Sequence, residues 1–296
     1  MISSHSIRPI AIFPGQGDPR LRLSPVLARH PHVQAVFRRA HHLLGYAVPS
    51  PEDASPPLQQ LALFTASMAV WEVLAPKANL AAITGISLGE YAAAVAAGAL
   101  SFEDGLLLVE ARTQCMAQWA SPGNMMAILG ISCDQWQSHQ EEVYLACRYG
   151  PTEHIVSGPV ASLSRLGAFI TQIGGRIVAV NAGIPSHSPY MSATLPCLKR
   201  VMDRLAWRRA TIPWISTMDG RVTRHPEAIK ERLLGQIVSP VNWPKATAIM
   251  QFVGHHQYLD VGPGHSVSRL LRRTLPDSQI FGPLHFLSDP TTLVLS

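Results

Sequence analysis

The stretch from Ala78 to Phe102 is apolar except for one charged residue, Glu90. It is long enough for a membrane helix, which needs about 20 apolar residues, but the sequence TGISLGE interrupts its middle. Two glycines and a serine at such positions favour a turn. We therefore interpret the stretch as a buried strand from Leu80 to Thr84, a turn, and a buried helix to about Ala99. We expect no membrane association.

The turn within this stretch, residues 85–89, has the pattern GxSxG. Between a strand and a helix, this pattern is typical of a nucleophile elbow, in which the glycines allow a tight turn and the serine hydroxyl is exposed at the helix N-terminus. Ser87 is therefore a candidate nucleophile. The backbone N–H of Leu88 would point towards an oxyanion forming on an attacked carbonyl. The same residues also fit a glycine turn with a capping serine.

A serine hydroxyl needs a base to become a good nucleophile. Of the 13 histidines, His187 lies in the segment IPSHSP, whose prolines restrict the backbone on both sides. Taken alone, its surroundings are those of an ordinary loop histidine. Paired histidines such as His41 and His42 have no third ligand at a useful spacing, so the sequence predicts no metal site.

Arg112 lies on an otherwise apolar face of a helix predicted from Phe102 to Trp119, with Ser101 as its N-cap. A buried arginine needs an anionic partner. Two partners stay open at this point. One is an internal carboxylate such as Glu110, and the other is a substrate carboxylate held by a bidentate contact.

Composition narrows the class of protein further. Hydrophobic residues make up 47% of the 296-residue chain and charged residues 15%, which excludes a disordered chain. The net charge of +5 is not concentrated in a basic tract, so a nucleic-acid partner is not expected. The four cysteines form no CxxC pair and no secretory leader is evident, which predicts reduced thiols in a cytoplasmic protein.

The order of predicted elements indicates an α/β fold with an insert. A strand from Ile7 to Phe13 ends at a PGQG turn, and helices are predicted over Val33 to Leu44 and Leu58 to Leu74. After Pro122 the pattern becomes β, α, β, α, β, typical of a small split α/β unit. Its predicted elements are Met125 to Gly130, Cys133 to Glu142, His154 to Ser157, Ala161 to Ile173 and Arg176 to Val180.

Six segments, in this order, resemble the malonyl-CoA:acyl carrier protein transacylase family, which includes the acyltransferase domains of polyketide synthases. They are FPGQG at 13–17, GISLGE at 85–90, VEAR ending at Arg112, PSHSPYM at 185–191, QIVSPVNW at 236–243 and VGPG at 261–264. The resemblance implies an α/β-hydrolase-like large domain, residues 1–123 and 186–296, with an inserted ferredoxin-like subdomain at 124–185. It also implies transfer of a malonyl or malonyl-like group through a seryl ester, in fatty-acid or polyketide biosynthesis.

The resemblance further implies a role for each matching residue. Ser87 would attack the thioester, and His187 would act as general base and then general acid. The backbone carbonyl at Gln236 would orient the histidine. The remaining implied site residues are Gln16 and Leu88, whose N–H groups form the oxyanion hole, Arg112, which binds the malonyl carboxylate, and Gln236 and Ile86, which are placed at the substrate.

The partners implied are an acyl-CoA donor and the phosphopantetheine thiol of a holo-acyl carrier protein. No cofactor beyond the CoA substrate, no metal, no nucleic acid and no membrane are expected. We expect a monomer in the cytoplasm.

Two departures from the family pattern concern acyl specificity: Ile86 replaces the usual histidine beside the nucleophile, and Tyr149 lies in a stretch where the family commonly has an asparagine.

Three alternative functions also stay open. The chain could be a hydrolase that clears acyl groups from carrier proteins, the transacylase subunit of a malonate decarboxylase, or a non-catalytic docking subunit. Hydrolase relatives tend to lack the helical arginine, and a docking subunit needs a damaged Ser87 or His187. The residues present here therefore favour a transferase.

Overall fold

The computed structural model describes residues 8–18, 20–139, 141–180, 182–252 and 256–288. Its strands are β1 (Ile10–Phe13), β2 (Ala82–Gly85), β3 (Asn124–Leu129), β4 (Tyr144–Arg148), β5 (Glu153–Gly158), β6 (Arg176–Val180), β7 (Trp214–Ile215), β8 (Val222–Thr223), β9 (Val241–Asn242), β10 (Gln257–Asp260) and β11 (Gln279–Phe281). Its helices are α1 (Pro25–Ala28), α2 (Pro31–Leu44), α3 (Gln59–Leu74), α4 (Gly89–Ala96), α5 (Phe102–Trp119), α6 (Val160–Gln172), α7 (Leu195–Met202), α8 (Pro226–Gly235), α9 (Trp243–Phe252), α10 (Ser266–Thr274) and α11 (Pro283–Ser288).

The larger sheet has the strand order β11-β10-β1-β2-β7-β8 and is parallel except for the β7–β8 pair. Strands β1 and β2 lie at its centre, and every residue in them is buried. Burial on both faces explains why both strands read as continuous apolar runs. The register pairs Phe13 with Gly85, so the loops that follow β1 and β2 leave the sheet side by side.

The smaller sheet has the order β6-β3-β5-β4-β9. Its first four strands in the chain, β3 to β6, are antiparallel neighbours with helix α6 between β5 and β6, which is the ferredoxin-like arrangement. Strand β9 comes from a later part of the chain and joins β4 in parallel. The predicted fold class, an α/β-hydrolase-like part with a ferredoxin-like subdomain, is confirmed.

Two local predictions are wrong. The helix expected from Cys133 to Glu142 is replaced by two 3-10 turns, Cys133–Gln135 and Gln137–His139, and β4 was not predicted at all. A capping box between Ser132 and Gln135 closes the first turn, and the fully buried Trp136 then holds the segment against the small sheet. Helix α4 also ends at Ala96, earlier than predicted, because the chain turns at Gly98 with a φ of +81°.

Helix α3 confirms the prediction of a long buried helix from Leu58 to Leu74. Among the described residues, one helix, Pro56–Lys77, is long and apolar enough to cross a membrane by length and composition. Over its most apolar 18 residues, 72% is buried inside the protein. It packs against α2, α4 and α5 in the main core, so the burial explains its apolar composition.

The expectation of four reduced thiols is wrong for two cysteines. Cys115 on α5 and Cys197 on α7 form a disulfide, whereas Cys133 and Cys147 are free and buried. The pairing depends on tertiary packing. Helices α5 and α7 pack together and bring the two Cα atoms to 5.9 Å, a separation suited to a disulfide. A separation of 82 residues in the sequence gives no sign of this contact.

Thiol counting tests the disulfide. The protein, purified without reductant and unfolded, should show two reactive thiols, and four after reduction. The matched variant Cys115→Ser should show three thiols in both conditions, because it frees Cys197. Four thiols in the unreduced wild-type protein would contradict the pairing.

Candidate active site

Ser87 lies at the turn between β2 and α4 with a φ of +52°, a left-handed conformation that is uncommon outside glycine. The flanking glycines are required by close backbone packing. A Cβ on Gly85 would come within 2.0 Å of the backbone of Gly89, and a Cβ on Gly89 within 2.3 Å of the carbonyl oxygen of Phe13. The turn therefore has the geometry expected of a nucleophile elbow, with a strained serine at its tip.

His187 is the hydrogen-bond partner of this serine. Its Nε2 lies 2.7 Å from Ser87 Oγ, and its Nδ1 lies 2.7 Å from the backbone carbonyl oxygen of Gln236. Because a carbonyl only accepts, Nδ1 carries the proton and Nε2 accepts from the serine hydroxyl. The backbone of His187 is also left-handed, with a φ of +60°, and its N–H donates to the carbonyl of Ile237 at 3.1 Å.

Burial controls the charge of this histidine. Desolvation, together with the positive charge of Arg112, lowers the pKa of His187 to about 4, against the weaker effect of the Gln236 carbonyl. The side chain is neutral at neutral pH. A neutral imidazole with a free Nε2 lone pair is the form that a general base requires.

The two residues expected to supply an oxyanion hole, Gln16 and Leu88, lie in neighbouring loops at the ends of β1 and β2. Gln16 follows β1 and Leu88 follows Ser87, and the register of β1 with β2 brings their loops together. The N–H of Ile86 donates to the carbonyl of Phe13 at 3.0 Å and fastens the two loops. In the described part of the chain, neither the Gln16 nor the Leu88 N–H donates to a protein acceptor. This is the arrangement expected of an oxyanion hole.

Arg112 lies on α5, which begins as predicted with Ser101 accepting a hydrogen bond from the Asp104 N–H. Its guanidinium is buried, donates to Gln60 Oε1, and lies 5.4 Å from the ring centroid of Tyr91. No carboxylate of the described residues lies within 4 Å of it.

The alternative of an ion pair with Glu110 is therefore wrong. The Glu110 carboxylate instead accepts a hydrogen bond from the Tyr46 hydroxyl at 2.9 Å. Burial lowers the pKa of Arg112, because removing a charge from water disfavours the charged form. Arg112 Nε also lacks a hydrogen-bond partner. The guanidinium is thus a buried cation without a matching anion among the residues that the structure describes.

A cavity of about 790 Å³ connects these groups, and Ser87, His187, Gln16 and Arg112 all line it. Helices α3 and α5, which carry Gln60 and Arg112, line one part of the cavity with both polar and apolar side chains. Another part is apolar and consists of Ile86 together with residues in or next to the small sheet, namely Met125, Cys147, Tyr149, Ile155 and Val180. The cavity therefore contains one buried cation and one apolar wall, with Ser87 in its lining.

A family model described as the acyl transferase domain matches residues 54–282, which include Ser87, Arg112, His187 and Gln236. The chain belongs to this family. A relative, the malonyl CoA-acyl carrier protein transacylase of Salmonella typhimurium, is 30% identical over 284 residues, which cover 88% of this chain and 91% of the relative.

Solved structures agree with this acyl transferase fold. A malonyl CoA-acyl carrier protein transacylase from Coxiella burnetii superimposes with a TM-score of 0.87 at 26% identity, covering 96% of this chain and 97% of that one. A malonyl-transacylase solved in complex with a type II polyketide synthase acyl carrier protein superimposes with a TM-score of 0.84 at 25% identity, covering 93% and 95% of the two chains.

Gln236 of this acyl transferase domain lies behind the histidine rather than at the substrate. Its side chain is buried, its Nε2 donates to Glu90 Oε2 at 2.7 Å, and it is not part of the cavity wall. The expectation that Gln236 lies at the substrate site is therefore wrong, because its side-chain amide is hydrogen-bonded to the buried Glu90 carboxyl group instead of lining the cavity. Its backbone carbonyl does contact His187, as the resemblance implies.

Sequence reasoning missed two residues of the acyl transferase site. Gln60, the partner of Arg112, is a buried polar residue near the start of the largely apolar helix α3. Glu90, the partner of Gln236, is the single charge in the apolar stretch and is fully buried. Both departures from apolar patterning were visible, but which side chains they contact depends on tertiary packing.

The pKa of His187 makes a prediction for stability. The folded-state pKa of about 4 lies below the value of about 6.5 for an exposed histidine, so the unfolded chain binds the proton more tightly. The stabilisation is complete above pH 6.5 and is lost as the pH falls towards 4. Between pH 7 and 4 the wild type should lose about 3 kcal/mol more unfolding free energy than His187→Gln, measured by urea denaturation. Equal losses would contradict the buried neutral imidazole.

Proposed function

We propose that this protein transfers a malonyl or malonyl-like group from CoA to the phosphopantetheine thiol of an acyl carrier protein, in fatty-acid or polyketide biosynthesis. The observation that carries the proposal is a nucleophile–base pair, Ser87 and His187, in one cavity with a buried and unpaired Arg112. The pair provides acyl transfer, and the arginine provides recognition of an acyl group that ends in a carboxylate.

In the first half of the reaction, Ser87 Oγ attacks the thioester carbonyl while its proton passes to His187 Nε2. The Gln16 and Leu88 N–H groups stabilise the tetrahedral oxyanion. When the intermediate collapses, the C–S bond breaks and the departing CoA thiolate takes the proton from His187. A malonyl ester of Ser87 remains, and His187 is neutral again.

The second half reverses these steps with a different thiol. The phosphopantetheine thiol of the carrier protein gives its proton to His187 and attacks the Ser87 ester, and the proton returns to Ser87 Oγ as the ester bond breaks. The related malonyl-transacylase that was solved with an acyl carrier protein supports this choice of acceptor.

Arg112 and Gln60 act at the other end of the acyl group. The guanidinium of Arg112 binds the free carboxylate of the malonyl group, and Gln60 holds the guanidinium in place. Binding of the carboxylate gives the buried cation its missing partner. Ile86 and the apolar wall contact the carbon chain, so Ile86, which replaces a polar histidine, bears on which malonyl-like groups fit.

The proposal retains the domain division expected from the sequence, with residues 1–123 and 186–296 as the catalytic domain and 124–185 as the small subdomain. We also propose that the protein acts as a monomer, because the proposed reaction assigns no step to a residue of a second copy. The CoA donor supports a cytoplasmic location, and the reaction assigns no step to a metal, a cofactor, a membrane or a nucleic acid. The described residues contain no group of three or more side chains arranged as metal ligands.

Covalent labelling tests the nucleophile. Wild-type protein exposed to malonyl-CoA should gain the mass of one malonyl group, and Ser87→Ala should gain none because the attacking oxygen is absent. Intact-mass spectrometry with a panel of acyl-CoAs measures both. Labelling of Ser87→Ala at another residue would refute the assignment. Rapid release of the acyl group as free acid, without transfer to holo-carrier, would favour a hydrolase.

Arg112→Ala tests carboxylate recognition. The kcat/KM of the variant for malonyl-CoA should fall by an amount that corresponds to roughly 2–4 kcal/mol of transition-state stabilisation, because the change removes the cation proposed to pair with the substrate carboxylate. Acetyl-CoA lacks that carboxylate and serves as the control substrate, for which the loss should be much smaller. Equal losses for both substrates would indicate a structural arginine.

A further inference from the structure

Glu90 is a fully buried carboxyl group to which the mechanism above assigns no role. Its Oε1 accepts hydrogen bonds from the backbone N–H and the hydroxyl of Thr217, and its Oε2 accepts from Gln236 Nε2 at 2.7 Å. Burial raises the pKa of Glu90 to about 8. Burying a carboxyl group costs desolvation free energy, which its hydrogen bonds must offset. One of these bonds connects Glu90 through Gln236 to His187.

The segment that carries Gln236 needs such an anchor. It follows the end of α8 and runs through successive tight turns in which Ile237, Val238 and Ser239 donate to carbonyls three residues earlier, at 3.2 to 3.4 Å. Its carbonyl groups at Gln236 and Ile237 hold the ring and the backbone of His187. Because this segment is not held by regular helix or sheet pairing, its side-chain contact with Glu90 restricts its movement relative to the nucleophile.

Glu90 is also part of the nucleophile turn. Its backbone N–H donates to the Ser87 carbonyl at 3.0 Å, so the two residues share one turn at the start of α4. A closed ring results: Ser87 is linked through the turn to Glu90, Glu90 through Oε2 to Gln236, Gln236 through its carbonyl to His187, and His187 through Nε2 back to Ser87.

We propose that Glu90 is a positioning residue for the acyl-transfer reaction, which sets the distance between Ser87 and His187 by tying the carbonyl that orients the base to the turn that holds the nucleophile. This inference rests on the proposed function for the role of the pair. Glu90 contacts neither substrate nor reacting atoms. Its removal leaves every catalytic group present but allows the base to drift, and a displacement of about 1 Å can cost on the order of 100-fold in rate.

The test measures Ser87 reactivity by two routes, acylation by malonyl-CoA and modification by a fluorophosphonate, which needs the Ser87–His187 pair but not the acyl site. Glu90→Ala should slow both about 10- to 100-fold, and for malonyl transfer the loss should fall on kcat with KM unchanged. Glu90→Gln should recover most of the rate, since its amide oxygen still accepts from Thr217 and its amide N–H can donate to Gln236 Oε1, now unpartnered, once the Gln236 side-chain amide flips over.

Gln236→Met supplies a second variant in case Glu90→Ala does not fold. It cuts the same tether from the other side and keeps the backbone carbonyl. It should show the same loss of rate, and the double variant Glu90→Gln/Gln236→Met should be no slower than Gln236→Met alone, because both changes act on one contact.

Asp260→Asn is the matched control for stability. Asp260 is likewise a fully buried carboxylate that accepts three hydrogen bonds, from the Gly262 N–H and from the Ser268 N–H and hydroxyl, but it has no contact with His187 or Gln236. This variant should lower the melting temperature and leave fluorophosphonate reactivity at the wild-type value.

Three results would overturn the inference: wild-type reactivity in Gln236→Met, a raised KM with unchanged kcat in Glu90→Ala, or an equal loss of reactivity in Asp260→Asn. Failure of the proposed function is distinguishable from these. In that case the wild type would react with the fluorophosphonate yet form no acyl-enzyme with malonyl-CoA.

Discussion

Gly89 packs its Cα against the carbonyl oxygens of Phe13 and Pro14, at a separation that leaves no room for a side chain. This contact brings the first turn of α4 directly against the loop that leaves β1. The chain can then reach from β2 to α4 only through a sharp turn, which forces Ser87 into a left-handed conformation and exposes its hydroxyl. The two residues proposed for the oxyanion hole lie in adjacent loops for the same reason, since Gln16 follows β1 and Leu88 immediately precedes α4. This backbone contact therefore supports the position of the nucleophile and of the proposed oxyanion hole.

Three ionisable groups are buried in this region, and burial shifts the pKa of each away from its ordinary value. The pKa of His187 is lowered, so it is neutral, the pKa of Glu90 is raised, and no carboxylate of the described residues lies within 4 Å of Arg112. Desolvation of these groups opposes folding, and it is offset by the large apolar core around α3 and α4. The same low-dielectric environment would strengthen the proposed interaction of Arg112 with a substrate carboxylate. The burial that lowers the free energy of unfolding would thus also favour acyl groups that end in a carboxylate.

Features that depend on local sequence could be predicted, and those that depend on tertiary contacts could not. The Ser87 turn, the Ser101 cap and the long apolar helix α3 follow from glycine placement, capping chemistry and apolar patterning, and the structure has all three. The β4 strand was missed because its pairing with the nearby β5 is irregular between Leu145 and Cys147 and its other partner, β9, is distant in the sequence. The Cys115–Cys197 pairing and the contact of Glu90 with Gln236 escaped for the same reason, since each joins segments more than 80 residues apart. The likeness to a known family supplied the functional roles that spacing alone left open.

The Ser87–His187 hydrogen bond joins two parts of the molecule that are built separately. The serine belongs to the large sheet, whereas the base depends on the small one. His187 follows β6 in the chain, its neighbour Ser186 accepts a hydrogen bond from Ser157 of β5 at 2.6 Å, and the segment after Gln236 leads directly into β9. A shift of the small sheet would therefore move the base away from the nucleophile and change the apolar wall of the cavity at the same time. The contact between Glu90 and Gln236 opposes that shift from the side of the large sheet, so the geometry of the dyad and the shape of the acyl site are set together.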